Sequence, residues 1–478
     1  MRSALGPCGR LAVKRASCTR SYRILRGDLR SAETLAQLES NSFDALLSDP
    51  PYGLSPDGKA RTWDDISAER GRGGFMGQAW DAAVPGPTFW REMLRVLKPG
   101  APLLVFGSTR TYHRLAGAIE DAGFEIIDTL EWIHGQGFPK SLDIPKALKR
   151  SRRARAGRLA ATWTGYGTAL KPAHEPIVVA QKPRAGTYVQ NVERWGVGGF
   201  AIDACRVHSD WSERSESWKR SGHSAKPTAQ KIAAPPGVGI QCHRLGRWPA
   251  NLVLDEEAGA VLDAQSGPLT SGARTGRRRA PKTKNTYGAF ARRNEAPAEG
   301  DAGGASRFFY CAKASRWERE LGCEHLPLRS AGEMTGGRKD GAAALNCPCT
   351  GAGRNHGARN HHTTLKPIRL TTWLASLVLP PPRADLPRRL LVPFAGAASE
   401  MIGALSAGWD ECVGIESGED YVAIAEARLR RWLEAPPPTL LRDRRRSTRA
   451  ASPRGGQPSS SNQPSVNERQ ISLFGRTA

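Results

Sequence analysis

Apolar and polar positions alternate along the first third of the chain in two different periods, and the switch between them marks the elements. YRILRGD reads as a short strand ending on Gly27-Asp28, SAETLAQLES has helical spacing, and FDALLSD is a buried strand. PTFWREMLRVLKPG then predicts an amphipathic helix closed by Pro-Gly, APLLVFGS a strand, YHRLAGAIEDAGF a helix and EIIDTLEWIHG a strand. Strands alternating with helices at this pitch predict an α/β fold with a parallel, doubly wound sheet. After KPAHEPIVVAQKP the pattern breaks. Residues 186 to about 345 are rich in Gly, Arg, Ser and Pro, with isolated apolar runs such as RWPANLVL and RFFYCAK. This predicts a different, partly packed unit, whose basic runs TGRRRAPKTK and GARNHH fit either phosphate-tracking loops or solvated linkers. Order returns near residue 361: HHTTLKPIRLTTWLASLVLPPP reads as an amphipathic helix, RRLLVPFAGAASEMIGALSAGW as strand, glycine turn and helix, DECVGIE as a strand and GEDYVAIAEARLRRWLE as a helix. The expected organisation is a disordered basic start over 1–20, segments at 21–185, 186–350 and 351–435, and a disordered basic tail over 436–478.

Composition adds a partner class. The 478 residues carry 70 Lys plus Arg against 46 Asp plus Glu, a formal charge of +24, and such a field attracts polyanions, nucleic acid first among them. The nine cysteines have no regular spacing and no apolar h-region follows MRSALGPCGRLAVKR, so a reducing cytoplasm is expected. No apolar stretch is long enough to span a bilayer, so no membrane role is expected. Cys347-Pro-Cys349, with Cys311 and Cys323 upstream, is too tightly spaced for the usual zinc pair, and free thiols with no metal are the expectation.

Two strand ends carry candidate chemistry. In LLVPFAGAASE a buried strand through Leu390 to Val392 turns at Phe394-Ala395-Gly396-Ala397-Ala398 and enters a helix near Ser399. Small residues in such a turn let a ligand approach backbone amides at the carboxyl edge of a sheet, although a turn that merely packs helix on strand has the same composition. The next strand ends on Glu416, about 20 residues later, where an acid can accept both hydroxyls of a ribose. With one glycine rather than three there is no pyrophosphate cradle, so a nucleoside without phosphates fits, and S-adenosylmethionine is the common one.

The second strand end is the Asp49-Pro50-Pro51-Tyr52-Gly53 stretch. Pro51 fixes its own φ and holds Pro50 extended, which stiffens the backbone after Asp49. The Asp49 carboxylate and the Pro50 carbonyl can then accept both hydrogens of one exocyclic amine, while Tyr52 offers a flat face for the base. Such an amine is a poor nucleophile because its lone pair is delocalised into the ring. Two acceptors that draw its hydrogens out of plane restore that lone pair, by positioning and electrostatics rather than by a strong base. A plain strand-ending turn would have the same string.

DPPYG at 49–53, HTTLKP at 362–367 and LLVPFAGAASE followed by VGIE together resemble the circularly permuted beta-class DNA amino-methyltransferases, which make N6-methyladenine or N4-methylcytosine. FMGQAWD, GFPKSLDIPKA, GTALKPAHEPIVVA and SRFFYCAKAS are similar to phage-like and genomic-island members. The resemblance covers roughly 20–185 and 355–432. It implies a Rossmann-like methyltransferase sheet with a catalytic half at 21–185, an inserted target-recognition region at 186–350 and a donor-binding half at 351–435. By the same resemblance Asp49, Pro50, Pro51 and Tyr52 bind and activate the target amine. Phe394 and Gly396 shape the S-adenosylmethionine pocket, Glu416 holds the ribose, Asp28 lies near the donor's adenine, and Thr363, Lys366 and Pro367 close its methionine end. Asp28 fits a turn or cap equally well, and Lys366 a solvated charge. His134, His174 and His361 are read as structural. Val392, Ala398 and Thr363 stand where the family usually has Asp, Gly and Pro. The implied substrate is double-stranded DNA, with adenine favoured over cytosine because of Asp49. A bacterial or phage origin, a monomer or homodimer, and a cognate restriction endonuclease as partner complete what the resemblance implies.

Overall fold

In a computed structural model the described residues are 20–55, 58–66, 79–135, 141–151, 156–207, 246–271, 278–279, 293–294, 301–312, 316–329, 358–362, 364–383 and 386–434. The expectations for 1–19, for Cys347 and Cys349, for Thr363 and for the tail fall outside them. The described residues belong to one compact unit, Met1–Ala435; a second, Pro436–Ala478, lies outside them.

The core is a nine-stranded sheet. Its strands are β1 Ser21–Arg26, β2 Ala45–Ser48, β3 Pro102–Phe106, β4 Glu125–Ile133, β5 His174–Gln181, β6 Leu252–Asp255, β7 Tyr310–Ala312, β8 Arg389–Pro393 and β9 Glu411–Glu416. They lie in the order β1, β9, β8, β2, β3, β5, β4, β6, β7, so the last two strands of the sequence sit between the first two. Each neighbouring pair is parallel except those made by β5, which runs antiparallel to both β3 and β4. The sheet is therefore mixed rather than all-parallel. The helices are α1 Ala32–Ala36, α2 Pro87–Val96, α3 Tyr112–Asp121, α4 Ile144–Arg150, α5 Ala156–Thr162, α6 Tyr188–Trp195, α7 Glu256–Ser266, α8 Ile368–Leu377, α9 Ser399–Ala407 and α10 Glu419–Glu434.

Strand alternation explains why both sheet faces are covered. Leu46, Leu103, Val105, Val178, Leu391, Val413 and Ile415 pack in one cluster with Trp90 and Met93 of α2 and Leu115 and Ile119 of α3. The intervening Gly414 faces the other way, where a side chain would collide with Met401 of α9. There α8 and α9 cross closely: Thr371 Oγ1 donates to Ser399 O at 3.0 Å, and a side chain at Gly403 would run into Thr371. This doubly wound, Rossmann-like arrangement is the expected fold class.

Besides the mixed sheet, two expectations are corrected. The runs RWPANLVL and RFFYCAK contribute β6 and β7 to the main sheet's edge, so the region after residue 186 is not wholly a separate unit. Each strand is three or four residues long, too short for its period to show. The helix in HHTTLKPIRLTTWLASLVLPPP is confined to Ile368–Leu377 and is buried on most sides, because it is sandwiched against α9 rather than amphipathic.

Candidate active site

The parallel strands end at one edge, and the chain's candidate residues leave from there. Asp49 follows β2, Phe394 follows β8, Glu416 ends β9 and Asp28 lies just after β1. Because β5 is reversed, its first residues, His174 and Glu175, reach the same edge. A cleft of about 460 Å³ opens there, lined by Asp28, Asp49, Pro50, Pro51, Tyr52, Lys366, Phe394, Gly396 and Glu416 among others. Pro367 is outside the lining and begins α8 as its N-cap residue.

The DPPYG loop is held from behind. Asp81 Oδ1 accepts the Tyr52 and Gly53 amides at 2.6 and 2.9 Å, and Thr111 Oγ1 donates to Tyr52 O at 2.6 Å. Ser48 Oγ donates to Pro393 O at 3.0 Å, locking the ends of β2 and β8 together. The loop is thus a fixed platform, in keeping with its double proline.

On this platform the charges are buried and linked. Lys366 is 5% exposed. Its Nζ lies 2.7 Å from Asp49 Oδ2 and 3.3 Å from Glu175 Oε2, and Tyr52 Oη donates to the same Glu175 oxygen at 2.6 Å. Burial pulls the ammonium down, but Asp49 and Glu175 outweigh it and hold its pKa above the ordinary value. Lys366 is therefore neither a solvated charge nor, in this structure, remote from the DPPY loop: its cation sits on that loop's carboxylate. Burial raises Asp49's carboxyl, Lys366 pulling against it and Glu175 adding to it. Burial also lifts the Tyr52 phenol well above its usual range, so it stays a neutral donor. Asp49 Oδ1, the other carboxylate oxygen, is buried with no hydrogen-bond partner.

The glycine turn forms the opposite wall. Phe394 and Ala398 both take left-handed backbone, at φ 59° and 62°. The position where the resemblance expects a second glycine thus keeps glycine's conformation with alanine in it, at a cost of about 1 kcal/mol. Phe394 is wedged against Trp63 and Phe89, centroids 5.6 and 5.3 Å away. Gly396, at φ 49°, could not bear a side chain: a Cβ there would lie 2.5 Å from His362 Nε2. Burial lowers the His362 pKa to about 4, so the ring is neutral near pH 7. Its Nδ1 lies 2.7 Å from Thr364 O, an acceptor, so Nδ1 carries the proton and Nε2 faces the turn as an acceptor. Glu416 accepts the amides of Gly396 and Gly418, both at 2.8 Å, one on each oxygen. Each oxygen keeps a lone pair for a further donor. Val392 is fully buried in β8 and presents no polar group. Asp28 is paired with Arg30 at 2.7 Å and accepts its amide, so it is a turn residue as well as part of the lining.

Cleft residues to which the sequence reading gives no role include Glu175, His362 and Glu400. The last is 4% exposed in the first turn of α9. Burial and then the nearby Asp49 raise its pKa to about 7, with Lys366 and Arg428 opposing, and its Oε1 has no partner. Two buried carboxylate oxygens without donors, Asp49 Oδ1 and Glu400 Oε1, therefore line one cleft. That is a costly arrangement unless a ligand supplies positive charge or N–H groups.

No protein-family model matches the chain. Over 198 residues it is 29% identical to the type II methyltransferase M.HindIII of Haemophilus influenzae, a match covering 35% of this chain and 61% of that one. A second match, 27% identical over 114 residues, is to the type II methyltransferase M2.LlaDCHI of Lactococcus lactis subsp. cremoris and covers 21% of this chain and 38% of that one. Both of these relatives are type II methyltransferases. It spans less than two thirds of the length of either. Among solved structures, the PvuII DNA methyltransferase (cytosine-N4-specific) aligns over 86% of this chain and 88% of its own at 12% identity, with a TM-score of 0.35. Among the described residues there is no cluster able to hold a metal ion, and no helix is long and apolar enough to cross a membrane.

Proposed function

We propose that this protein is a site-specific DNA methyltransferase that uses S-adenosylmethionine to methylate the exocyclic amine of a flipped base, adenine N6. The observation that carries the reading is the pair of donorless carboxylate oxygens, Asp49 Oδ1 and Glu400 Oε1, in one cleft between the DPPY loop and the glycine turn. The residues present suit the donor. Glu416 has acceptor capacity for ribose hydroxyls, Gly396 lines the cleft with bare backbone, and Glu400 offers negative charge to a cationic ligand. When bound, S-adenosylmethionine supplies an electrophilic methyl group on a sulfonium.

The chain's own residues do the rest. Tyr52, its phenol tied to Glu175, presents its ring to the base. Asp49 Oδ1 takes one amine hydrogen while Lys366 occupies Oδ2, so the carboxylate is oriented rather than free to rotate. The same oxygen can take the proton that the nitrogen loses once methylated. The circular permutation implied by the resemblance is consistent with β8 and β9 lying between β1 and β2. Retention of left-handed backbone at Ala398 favours a working donor turn over a decayed one.

Modification-sensitive sequencing of a host's DNA, with and without this gene expressed, tests base and site together. N6-methyladenine at one short sequence is the expected result. N4-methylcytosine would overturn the base assignment, and unmodified DNA would overturn the reading.

A further inference from the structure

The connection between β4 and β5 is far longer than the fold requires. Antiparallel neighbours are joined by about two to five residues, yet this chain spends residues 134 to 173 on the link. The excursion has its own architecture. Leu142 N donates to Thr168 Oγ1 at 2.9 Å, Thr168 N to Ser141 Oγ at 2.9 Å and Ile144 N to Tyr166 O at 3.3 Å, while Asp143 bridges Gly167. Asp143 caps α4, accepting Lys146 N at 2.9 Å. Both feet stand at the cleft, since His134, Pro172 and His174 are among its lining residues, and Lys171 Nζ ties one foot to the other through Gly135 O.

What the excursion holds out is unusual for a surface loop. Every residue from 161 to 174 is exposed. They include Trp163 at 42%, Tyr166 at 59% and Leu170 at 91%, and the two aromatic rings meet edge to face with centroids 5.0 Å apart. Beside them Lys146, Lys149 and Arg150 of α4 are exposed. The sequence from 146 to 158, KALKRSRRARAGR, has seven basic residues and no acid. Exposed aromatics next to a cationic face are the means by which proteins grip nucleic acid, charge tracking phosphates and rings meeting bases. A second copy of the chain is disfavoured as the occupant, because a two-fold contact would set this basic segment against itself.

We propose that the excursion between β4 and β5 is a DNA-contacting arm, with α4 lying on duplex phosphates and Trp163, Tyr166 and Leu170 meeting bases beside the cleft. This rests on the methyltransferase reading, and it moves part of the DNA contact away from the region after residue 186, where the sequence places recognition. The described residues of the arm are held by their own hydrogen bonds, so they would engage DNA without first ordering.

Fluorescence anisotropy with a labelled duplex, over a range of salt concentrations, tests it, with calorimetric S-adenosylmethionine binding as the check that each variant is folded. The triple variant Lys146→Ala, Lys149→Ala and Arg150→Ala should lower the slope of log affinity against log salt by about 2 to 3, since each lost phosphate contact contributes about 0.9. Trp163→Ala with Tyr166→Ala should weaken binding about 10-fold or more and leave that slope unchanged. Donor binding should stay at the wild-type level in both. Wild-type affinity and slope in both variants would overturn the arm while leaving the methyltransferase reading intact. A wild-type protein that binds no duplex would overturn that reading itself. A dimer that Leu170→Ala dissociates in sedimentation, or variants that lose binding to an acidic protein but not to DNA, would also overturn the proposal.

Discussion

Glu400→Gln should stabilise the folded protein at alkaline pH while weakening its hold on a cationic donor. The side chain is buried in the first turn of α9, and Gln has nearly the same shape, so packing is preserved. Burial and Asp49 move its carboxyl from the ordinary 4.5 to about 7. The folded state therefore holds this proton more tightly than the unfolded chain. The stability it supports is complete below about pH 4.5 and is lost as pH rises through about 7. The difference between those two values corresponds to about 3 kcal/mol. Denaturant unfolding of wild type and variant across pH 4 to 9 measures it. The two curves should run close together at pH 4 and diverge by about 3 kcal/mol in the variant's favour above pH 8. Asp49, which adds to the rise, and Lys366 and Arg428, which oppose it, act on a carboxylate charge that Gln lacks, so their net effect is part of the measured difference. In calorimetry at pH 8 the variant should bind S-adenosylmethionine about 10-fold or more weakly. Parallel pH–stability curves would refute the reasoning, because Glu400 would then titrate alike in the folded and unfolded states.

Two further substitutions probe the glycine turn. Gly396→Ala places a Cβ 2.5 Å from His362 Nε2 on backbone at φ 49°, and should abolish calorimetric donor binding while the far-ultraviolet circular dichroism stays that of the wild type. Ala398→Gly relieves left-handed backbone at φ 62° and should raise unfolding stability by about 1 kcal/mol, with unchanged donor affinity; a loss of stability would show that the alanine methyl packs better than the strain costs.

The features legible in the sequence are those with a local signature. The strand and helix periods announce most of the sheet, and DPPYG and FAG mark the ends of β2 and β8 because proline and small residues leave a trace in one dimension. Glu175 leaves none. It reaches the cleft because β5 runs backwards, and strand direction is a property of pairing that HEPIVVAQ does not encode alone. Glu400 likewise reads as an ordinary acid in a helix's first turn, and only the burial of that turn beside Asp49 and Lys366 gives it an altered proton affinity. Lys366 could be read as a solvated charge until the loop before α8 brought it 2.7 Å from Asp49, 317 positions away in the chain. Strands β6 and β7 are too short to show a period, and they are recognisable only by joining a sheet whose edge was already formed.

The most direct test of the account is methyl transfer from tritiated S-adenosylmethionine to duplex DNA by wild type, Asp49→Ala and Asp49→Asn, with donor binding followed by calorimetry in parallel. Label in DNA is expected from the wild type, and loss of transfer with donor binding retained in both variants, because the proposed role of Asp49 Oδ1 is to accept from the target amine and not from the donor. Near-normal transfer by either variant, or none by the wild type, would contradict it.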